Sequence, residues 1–274
     1  MITKPFEQYP KAQEAYYHAE AHPEAQVDPT DDQLMDMWRD FYSDENSMKQ
    51  VPGVLGVMRN TLNHHSTLVS VDLCEVVRES LSGVLSLGGF NLESMRGYYS
   101  VDKVFDVDEQ QHPEAVTRLF QALMIEDKIE PVDNINDIRS ILQHMRESGA
   151  YIVANTSTLP GCEPSTLRFM DAYLEHCFDG ILFPRNHHGD GKLTKGVAMG
   201  SVVNELGTIV KTLHIDDAKH HVYATRITAG QLGTNHFDVT PIYPWNDDAQ
   251  DLNLAATPLE AFQLLQEDIS RGNN

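Results

Sequence analysis

Strand-like and helical runs alternate across residues 68–243, which predicts an α/β protein with a parallel sheet flanked by helices. The strand-like runs are short, apolar and rich in β-branched residues, as in strands buried on both faces. Several stop on carboxylates or hydroxyls, and in an open parallel sheet ligands bind just outside the carboxyl ends of strands. The sharpest case is Val210-Lys-Thr-Leu-His-Ile-Asp216-Asp217, an apolar run that ends on two acids before a helix. Paired aspartates at such a place suit a hard cation such as Mg²⁺, which takes oxygen ligands and keeps several waters. The plainer reading is a pair of helix-capping acids.

Residues 1–65 are expected to form an acidic helical extension, of which residues 1–27 read as a loosely held helix or arm. Thr30-Asp-Asp-Gln33 is a capping box, and Leu34, Met37, Trp38 and Phe41 recur behind it at helical spacing. A second short helix is expected after Pro52, through Val54, Leu55 and Met58. Leu68-Val-Ser-Val-Asp72 is the first strand of a core spanning 66–245. Residues 76–128 mix helical stretches with Gly83, Gly88, Gly89 and Gly97, and read as a helical insert after that strand. A helix over 136–147 is stopped by Gly149. Then come a strand over 151–157, a helix over 164–177, a strand over 179–183 and a helix through Lys195 to Leu206. The run 237–243 is the last strand, near an edge because of Pro241. Thr257-Pro-Leu-Glu260 opens a final helix, within a segment 246–274 expected to pack on the core.

Lys and Arg number 20 against 41 Asp and Glu, a net charge of −21 at neutral pH. Such a field repels nucleic acid and anionic membrane and speeds encounter with basic partners. The acids cluster at 28–45 and 247–251, so Asp31, Asp32, Asp36, Asp40, Asp247, Asp248 and Asp251 are the candidate partner-binding residues. No run is apolar for long enough to span a bilayer, and the first residues lack a signal-peptide core. Cys74, Cys162 and Cys177 fit neither a disulfide framework nor a zinc pattern. The expected setting is a reducing cytoplasm, without membrane or direct nucleic-acid contact. The pairs His64-His65, His187-His188 and His220-His221 lack the i, i+4 spacing of a metal-binding helix and read as surface residues.

In chain order, Leu68-Val-Ser-Val-Asp72, Ile152-Val-Ala-Asn-Thr156, Thr194-Lys195-Gly196 and Leu213-His-Ile-Asp216-Asp217 resemble the four motifs of the haloacid-dehalogenase-like superfamily. The resemblance covers about residues 66–245. It implies Mg²⁺ on Asp72, Asp216 and Asp217, Asp72 as the catalytic nucleophile toward phosphorus, and Thr156 and Lys195 as catalytic partners that hold phosphate. It also implies that the insert is a small cap that selects substrate. A carboxylate attacking a phosphate needs a cation to neutralise the oxygens and a lysine to offset the remaining charge. The departure is at Cys74, two residues after Asp72, where phosphatases of this family carry a second aspartate that protonates the leaving group. Loss of such a positioned proton donor costs on the order of 10²–10⁴-fold in rate.

In length and acidic balance, without a shared motif, the chain also resembles giant-phage proteins that bind the RNase E scaffold of the host RNA degradosome. That resemblance implies a homodimer, in the host cytoplasm if phage-encoded, which covers basic RNA-binding segments and inhibits RNA turnover without a cofactor. Two functions are therefore expected. One is a non-catalytic acidic interaction protein on a degenerate hydrolase-like scaffold. The other is a Mg²⁺-dependent phosphatase or 5′-nucleotidase acting on a small phosphate ester.

Overall fold

The structure is a computed structural model that describes residues 4–23, 29–41, 48–61, 63–96, 100–108, 110–112, 114–185, 193–247 and 249–272. For 31, 39–41 and 272 it gives the backbone element alone. The chain begins with helices α1 (Pro10–Glu20) and α2 (Asp31–Phe41), then strands β1 (Met48–Gln50), β2 (Leu55–Arg59) and β3 (Thr67–Val71). The insert follows as α3 (Ser80–Leu87), a 3-10 turn (Leu92–Met95), α4 (Val101–Val104) and α5 (Ala115–Ile125). Next come α6 (Ile135–Glu147), β4 (Tyr151–Asn155), α7 (Glu163–Leu174), β5 (Gly180–Phe183), α8 (Lys195–Leu206) and β6 (Lys211–Ile215). The chain closes with α9 (Lys219–Leu232), β7 (Asn235–Pro241), β8 (Leu254–Ala255) and α10 (Pro258–Gly272).

The strands form one eight-stranded sheet in the order β1-β2-β5-β4-β3-β6-β7-β8. From β5 to β8 every neighbour is parallel, while β2 joins β5 and β1 joins β2 antiparallel. Helical crossovers make parallel pairing possible, because the chain must return to the same end of the sheet before each new strand. The chain first moves outward from β3 to β4 and β5, then jumps back to place β6 on the other side of β3. The gap between β3 and β6 is thus the topological switch point, where open α/β sheets form their ligand crevice.

Alternation along the strands sorts two cores. Val69, Val71, Ile152, Ala154, Leu213 and Ile215 pack with side chains of α2, α6, α7 and α10 on one face. Leu68, Tyr151 and Val153 pack with α8 and α9 on the other. A third cluster belongs to the insert and includes Leu81, Leu119, Leu123 and Phe105. Among the described residues no helix is long and apolar enough to cross a membrane.

Two expectations for the first 65 residues are corrected. The segment after Pro52 is not a helix: Leu55–Arg59 is strand β2, and the sheet begins well before residue 66. Lying between β1 and β5, β2 is buried on both faces, and a continuous apolar run of that length carries no periodicity to tell strand from helix. Pro52-Gly53 is the turn of the β1–β2 hairpin, with Gly53 at φ 76°. The N-terminal helix is not loosely held either. Phe6 lies edge-on to Phe105 at 5.4 Å, Tyr9 meets Phe90 and Phe105 at 5.3 and 5.2 Å, and Ala12 is buried on the insert. The first capping box forms, Thr30 and Gln33 exchanging bonds of 2.8 and 3.3 Å; at the second, Thr257 caps the Glu260 amide at 3.2 Å while the Glu260 carboxylate accepts from the Ala256 amide at 2.6 Å.

Helices α8 and α9 approach closely through Gly196, where a Cβ would lie 2.2 Å from the Ala224 carbonyl oxygen. Gly230 on α9 meets nothing within 4 Å and is exposed. Gly196→Ala should therefore destabilise the fold by about 1–3 kcal/mol, the usual effect of overpacking. Gly230→Ala should stabilise it by about 0.5–1 kcal/mol through helix propensity. Urea unfolding reads both, and equal effects of the two changes would contradict the close α8–α9 approach.

Candidate active site

Asp72 is the first residue after β3 and Asp216 the first after β6, and Val71 is in register with Ile215. The two carboxylates therefore leave the sheet side by side at the switch point. Lys195 reaches them from the start of α8, whose N-cap Thr194 accepts a bond from the Val197 amide at 3.2 Å. The buried ammonium lies 2.8 Å from Asp72 Oδ1 and 2.7 Å from Asp216 Oδ2. Asp217 joins them: one ligand atom each from Asp72, Asp216 and Asp217 lies within 4.8 Å of the others, and all three residues are buried.

Further residues fix the cluster. Asp216 Oδ1 accepts the Ala218 amide at 2.9 Å and lies 3.2 Å from His221 Nδ1. His214 sits below, with Nε2 3.4 Å from Asp216 Oδ2 and Nδ1 3.1 Å from the Ser70 hydroxyl. Asn155 donates to that hydroxyl and to the Lys195 carbonyl at 3.1 and 2.9 Å, tying β3, β4 and α8 together. Trp245 and Asn246 donate to the Asp217 carbonyl at 3.3 and 2.8 Å.

The electrostatics are unbalanced. Asp72, Glu75, Asp216 and Asp217 are all buried, and Lys195 is the ammonium between them. Burial would lower the Lys195 pKa, but Asp216 and Asp72 outweigh it and push the ammonium up. Burial would raise Asp216, yet Lys195, His221 and His214 hold it well below the usual carboxylate range. Asp217 goes the other way: burial, then the fields of Asp216, Asp72 and Glu75, push it well above that range. Its Oδ2 is buried with no hydrogen-bond partner among the described residues. A clustered set of oxygen donors with surplus negative charge and an unpaired buried oxygen fits a divalent cation such as Mg²⁺.

A cavity of about 170 Å³ opens onto this cluster. Asp72, Lys195 and His221 line its floor, while Leu81, Phe120 and Met124 of the insert, with Ile129 just after it, roof it. After Asp72 the chain makes a tight turn in which Glu75 adopts φ 57° and its amide bonds the Arg78 carbonyl at 2.7 Å. This turn sends both Cys74 and Arg78 into the cavity wall.

The remaining expected residues are placed as follows. Thr156 directly follows β4, but its buried hydroxyl faces Thr158 at 3.4 Å, and Ser157 and Thr158 line the cavity instead. Of the pair His220-His221 on α9, His220 is exposed as expected, whereas His221 is half-buried and bonds Asp216 at 3.2 Å. His65 packs on Tyr151 at 5.2 Å, whereas His187-His188 lies outside the described residues. Of the acidic candidates, Asp32 and Asp36 are exposed on α2. Asp247 is bonded to Arg96 and Asp251 to Tyr223, each at 2.5 Å. Asp248 and the side chains of Asp31 and Asp40 lie outside the described residues. Arg78, Glu75, His214 and His221 were absent from the expected set; no spacing marks them, because turns and neighbouring strands bring them in. Neither a scan of protein-family models nor a search of curated proteins finds a match to this chain.

Two outcomes are expected. Asp217→Asn should raise the stability of the metal-free protein near neutral pH, by replacing a carboxyl that must take up a proton to stay buried among its acidic neighbours. MgCl₂ at a hundredfold excess over Kd should stabilise the native chain by about 2.7 kcal/mol, and the same change should abolish that gain. Thermal melts with and without MgCl₂ test both, and an unchanged Mg²⁺ response would remove Asp217 from the cation site.

Glu75 supplies the pH test. Burial pushes its carboxyl from 4.5 up to about 8, against the bond from the Leu81 amide. The folded chain then keeps a proton that the unfolded chain has released. The associated stability is fully present below about pH 4.5 and is lost as pH rises toward about 8. The slope is at most ~1.4 kcal/mol per pH unit for one proton. Glu75→Gln should flatten the stability curve across this window, read by chemical denaturation from pH 5 to 9.

Proposed function

We propose that this chain is a Mg²⁺-dependent phosphohydrolase of the haloacid-dehalogenase-like type, acting slowly on a small phosphate monoester. One observation carries the reading: an ammonium buried between Asp72 and Asp216 at the switch point, with the unpaired carboxylate oxygen of Asp217 in the same cluster. Asp72, Asp216 and Asp217 would hold the cation, which when bound neutralises charge on the phosphoryl oxygens.

The protein groups do the rest. The Asp72 carboxylate attacks phosphorus as the bond to the leaving oxygen breaks; water then releases phosphate and restores the carboxylate. Lys195 orients Asp72 and offsets charge on the transferring group. Ser157 and Thr158 offer hydroxyls to the same cavity. At about 170 Å³ the cavity falls below the ~300–1,000 Å³ of pockets for drug-sized ligands, which favours a small ester over a nucleotide. The reading as an acidic binder of basic RNA-binding segments keeps the net charge of −21 behind it, while Asp247 and Asp251 are engaged within the chain.

Cys74 sets the rate. It lines the cavity close to Asp72, and its sulfur accepts a bond from Arg78 at 3.3 Å, so no carboxylic acid stands there to protonate a leaving group. The native protein with Mg²⁺ should hydrolyse acetyl phosphate, whose acetate departs without a proton, much faster than ethyl phosphate. Cys74→Asp should raise the ethyl phosphate rate roughly 10²-fold or more and alter the acetyl phosphate rate far less. Asp72→Asn should abolish both. Absence of Mg²⁺-dependent turnover of either ester would overturn the hydrolase reading.

A further inference from the structure

Arg78 is the buried charge that the proposed chemistry leaves unused. Only 1% exposed, it lines the same cavity as Asp72 and Lys195. Its Nη1 donates to Thr166 Oγ1 at 3.0 Å and faces Met124 Sδ at 3.9 Å. Nη2 donates to Thr158 Oγ1 at 3.1 Å and to Cys74 Sγ at 3.3 Å, and Nε has no partner among the described residues. Two hydroxyls and two sulfurs orient a guanidinium without neutralising it.

The contrast within the chain is sharp. Arg59, Arg96, Arg118, Arg139, Arg146, Arg168, Arg185, Arg226 and Arg271 each have a carboxylate within 4.0 Å. These are all the other arginines whose side chains are described, and the chain carries 41 acids to pair with. Arg78, the most deeply buried of them, has no such ion pair among the described residues. The buried Glu75 lies three residues away in the chain, and burial pushes its carboxyl up to about 8, so near neutral pH it is mostly protonated. Burying a charge without a counter-charge is costly, so a site built this way awaits an anion.

Resting on the hydrolase reading above, we infer that Arg78 receives a second anionic group of the substrate, and that the preferred substrates are small phosphate monoesters bearing a carboxylate. One carboxylate matches the single unneutralised guanidinium in charge, and its two oxygens can take the Nε–H that has no partner among the described residues and the Nη2–H now given to the Cys74 sulfur. A second phosphoryl group would bring about −1.5 to −2. The apolar roof of Leu81, Phe120 and Ile129 leaves a short carbon link between the two anions in contact with hydrocarbon.

Calorimetric titration in MgCl₂ tests the inference on Asp72→Asn protein, which binds ligand without turning it over. The probes are 2-phosphoglycolate, the smallest carboxylated ester, and ethyl phosphate, in which a methyl group replaces the carboxylate. Phosphoglycolate should bind roughly 10–100-fold more tightly, the range for a hydrogen bond to a charged group. Adding Arg78→Leu should bring the two ligands to parity, and Arg78→Lys, which keeps the charge but not the fork, should retain part of the preference. Circular dichroism and melting of each variant exclude misfolding, and Arg78→Lys keeps the comparison available if Arg78→Leu does not fold. Equal affinities in the parent, a preference that survives Arg78→Leu, or no binding of either ligand would each overturn the inference. Turnover of acetyl phosphate by the native protein decides the hydrolase reading separately. Turnover without ligand preference removes only the role of Arg78, and preference without turnover removes only the hydrolase.

Discussion

The Lys195 ammonium, held by Asp72 and Asp216 in the interior, is the interaction on which the carboxyl edge of this sheet depends. It joins three segments far apart in sequence: the end of β3, the end of β6 and the first turn of α8. A buried pair of this kind is weak as a source of net stability, because desolvation offsets the attraction. Removing one member is another matter, since the partners stay buried without a counter-charge, at about 3–5 kcal/mol. The bridge therefore acts as a specification of geometry. It holds only if α8 starts at that point, which needs Thr194 as cap and the absence of a side chain at Gly196 beneath α9.

Surface and site pull in opposite directions. A net charge of −21 repels anions at long range, so it works against the arrival of a phosphate ester. Inside the cavity the field is reshaped by Lys195 on the floor and Arg78 in the wall, with a cation on the three aspartates in the proposed state. Screening within ~8 Å at physiological ionic strength hides the outer charge from a ligand already in the cavity, while buried pairs are screened much less. Association would be slowed by the surface and retention governed by the buried groups. The acidic exterior is thus compatible with a site for anions, but it does not help to build one.

The parts legible in the sequence are those that local pattern controls. Short β-branched runs ending on Asp72 and on Asp216-Asp217 announce strands and the edge where chemistry sits, and Thr194 before Lys195 announces a helix start. The misreadings have local causes as well. Leu55–Arg59 is buried on both faces and carries no period, and α1 is held by aromatic edges from Phe6 and Tyr9 rather than by an apolar stripe. Arg78, His214 and His221 were invisible for a different reason. Their roles exist only after β3 and β6 are neighbours and the turn after Asp72 has closed, and neither fact is written at any fixed spacing.

That turn is the strongest sign that the site is built rather than left over. Glu75 holds a left-handed backbone at φ 57°, a conformation costing of order 1–3 kcal/mol for a residue with a side chain. It persists because several groups determine it at once. The Leu81 amide bonds the Glu75 carboxyl at 2.5 Å, the Tyr243 hydroxyl donates to its carbonyl, and its amide bonds the Arg78 carbonyl. Strain of this sort survives where the surroundings over-determine it, and its product here is a wall that carries Cys74 and Arg78 beside Asp72. The second aspartate that the haloacid-dehalogenase-like resemblance would place two residues after Asp72 is replaced by Cys74, yet the turn that would present it remains and presents a guanidinium as well. A scaffold kept only for its acidic surface would have no use for that strained turn or for the unpaired charge it buries. Both are accounted for if the cavity binds a doubly anionic ligand and the chemistry on it is slow.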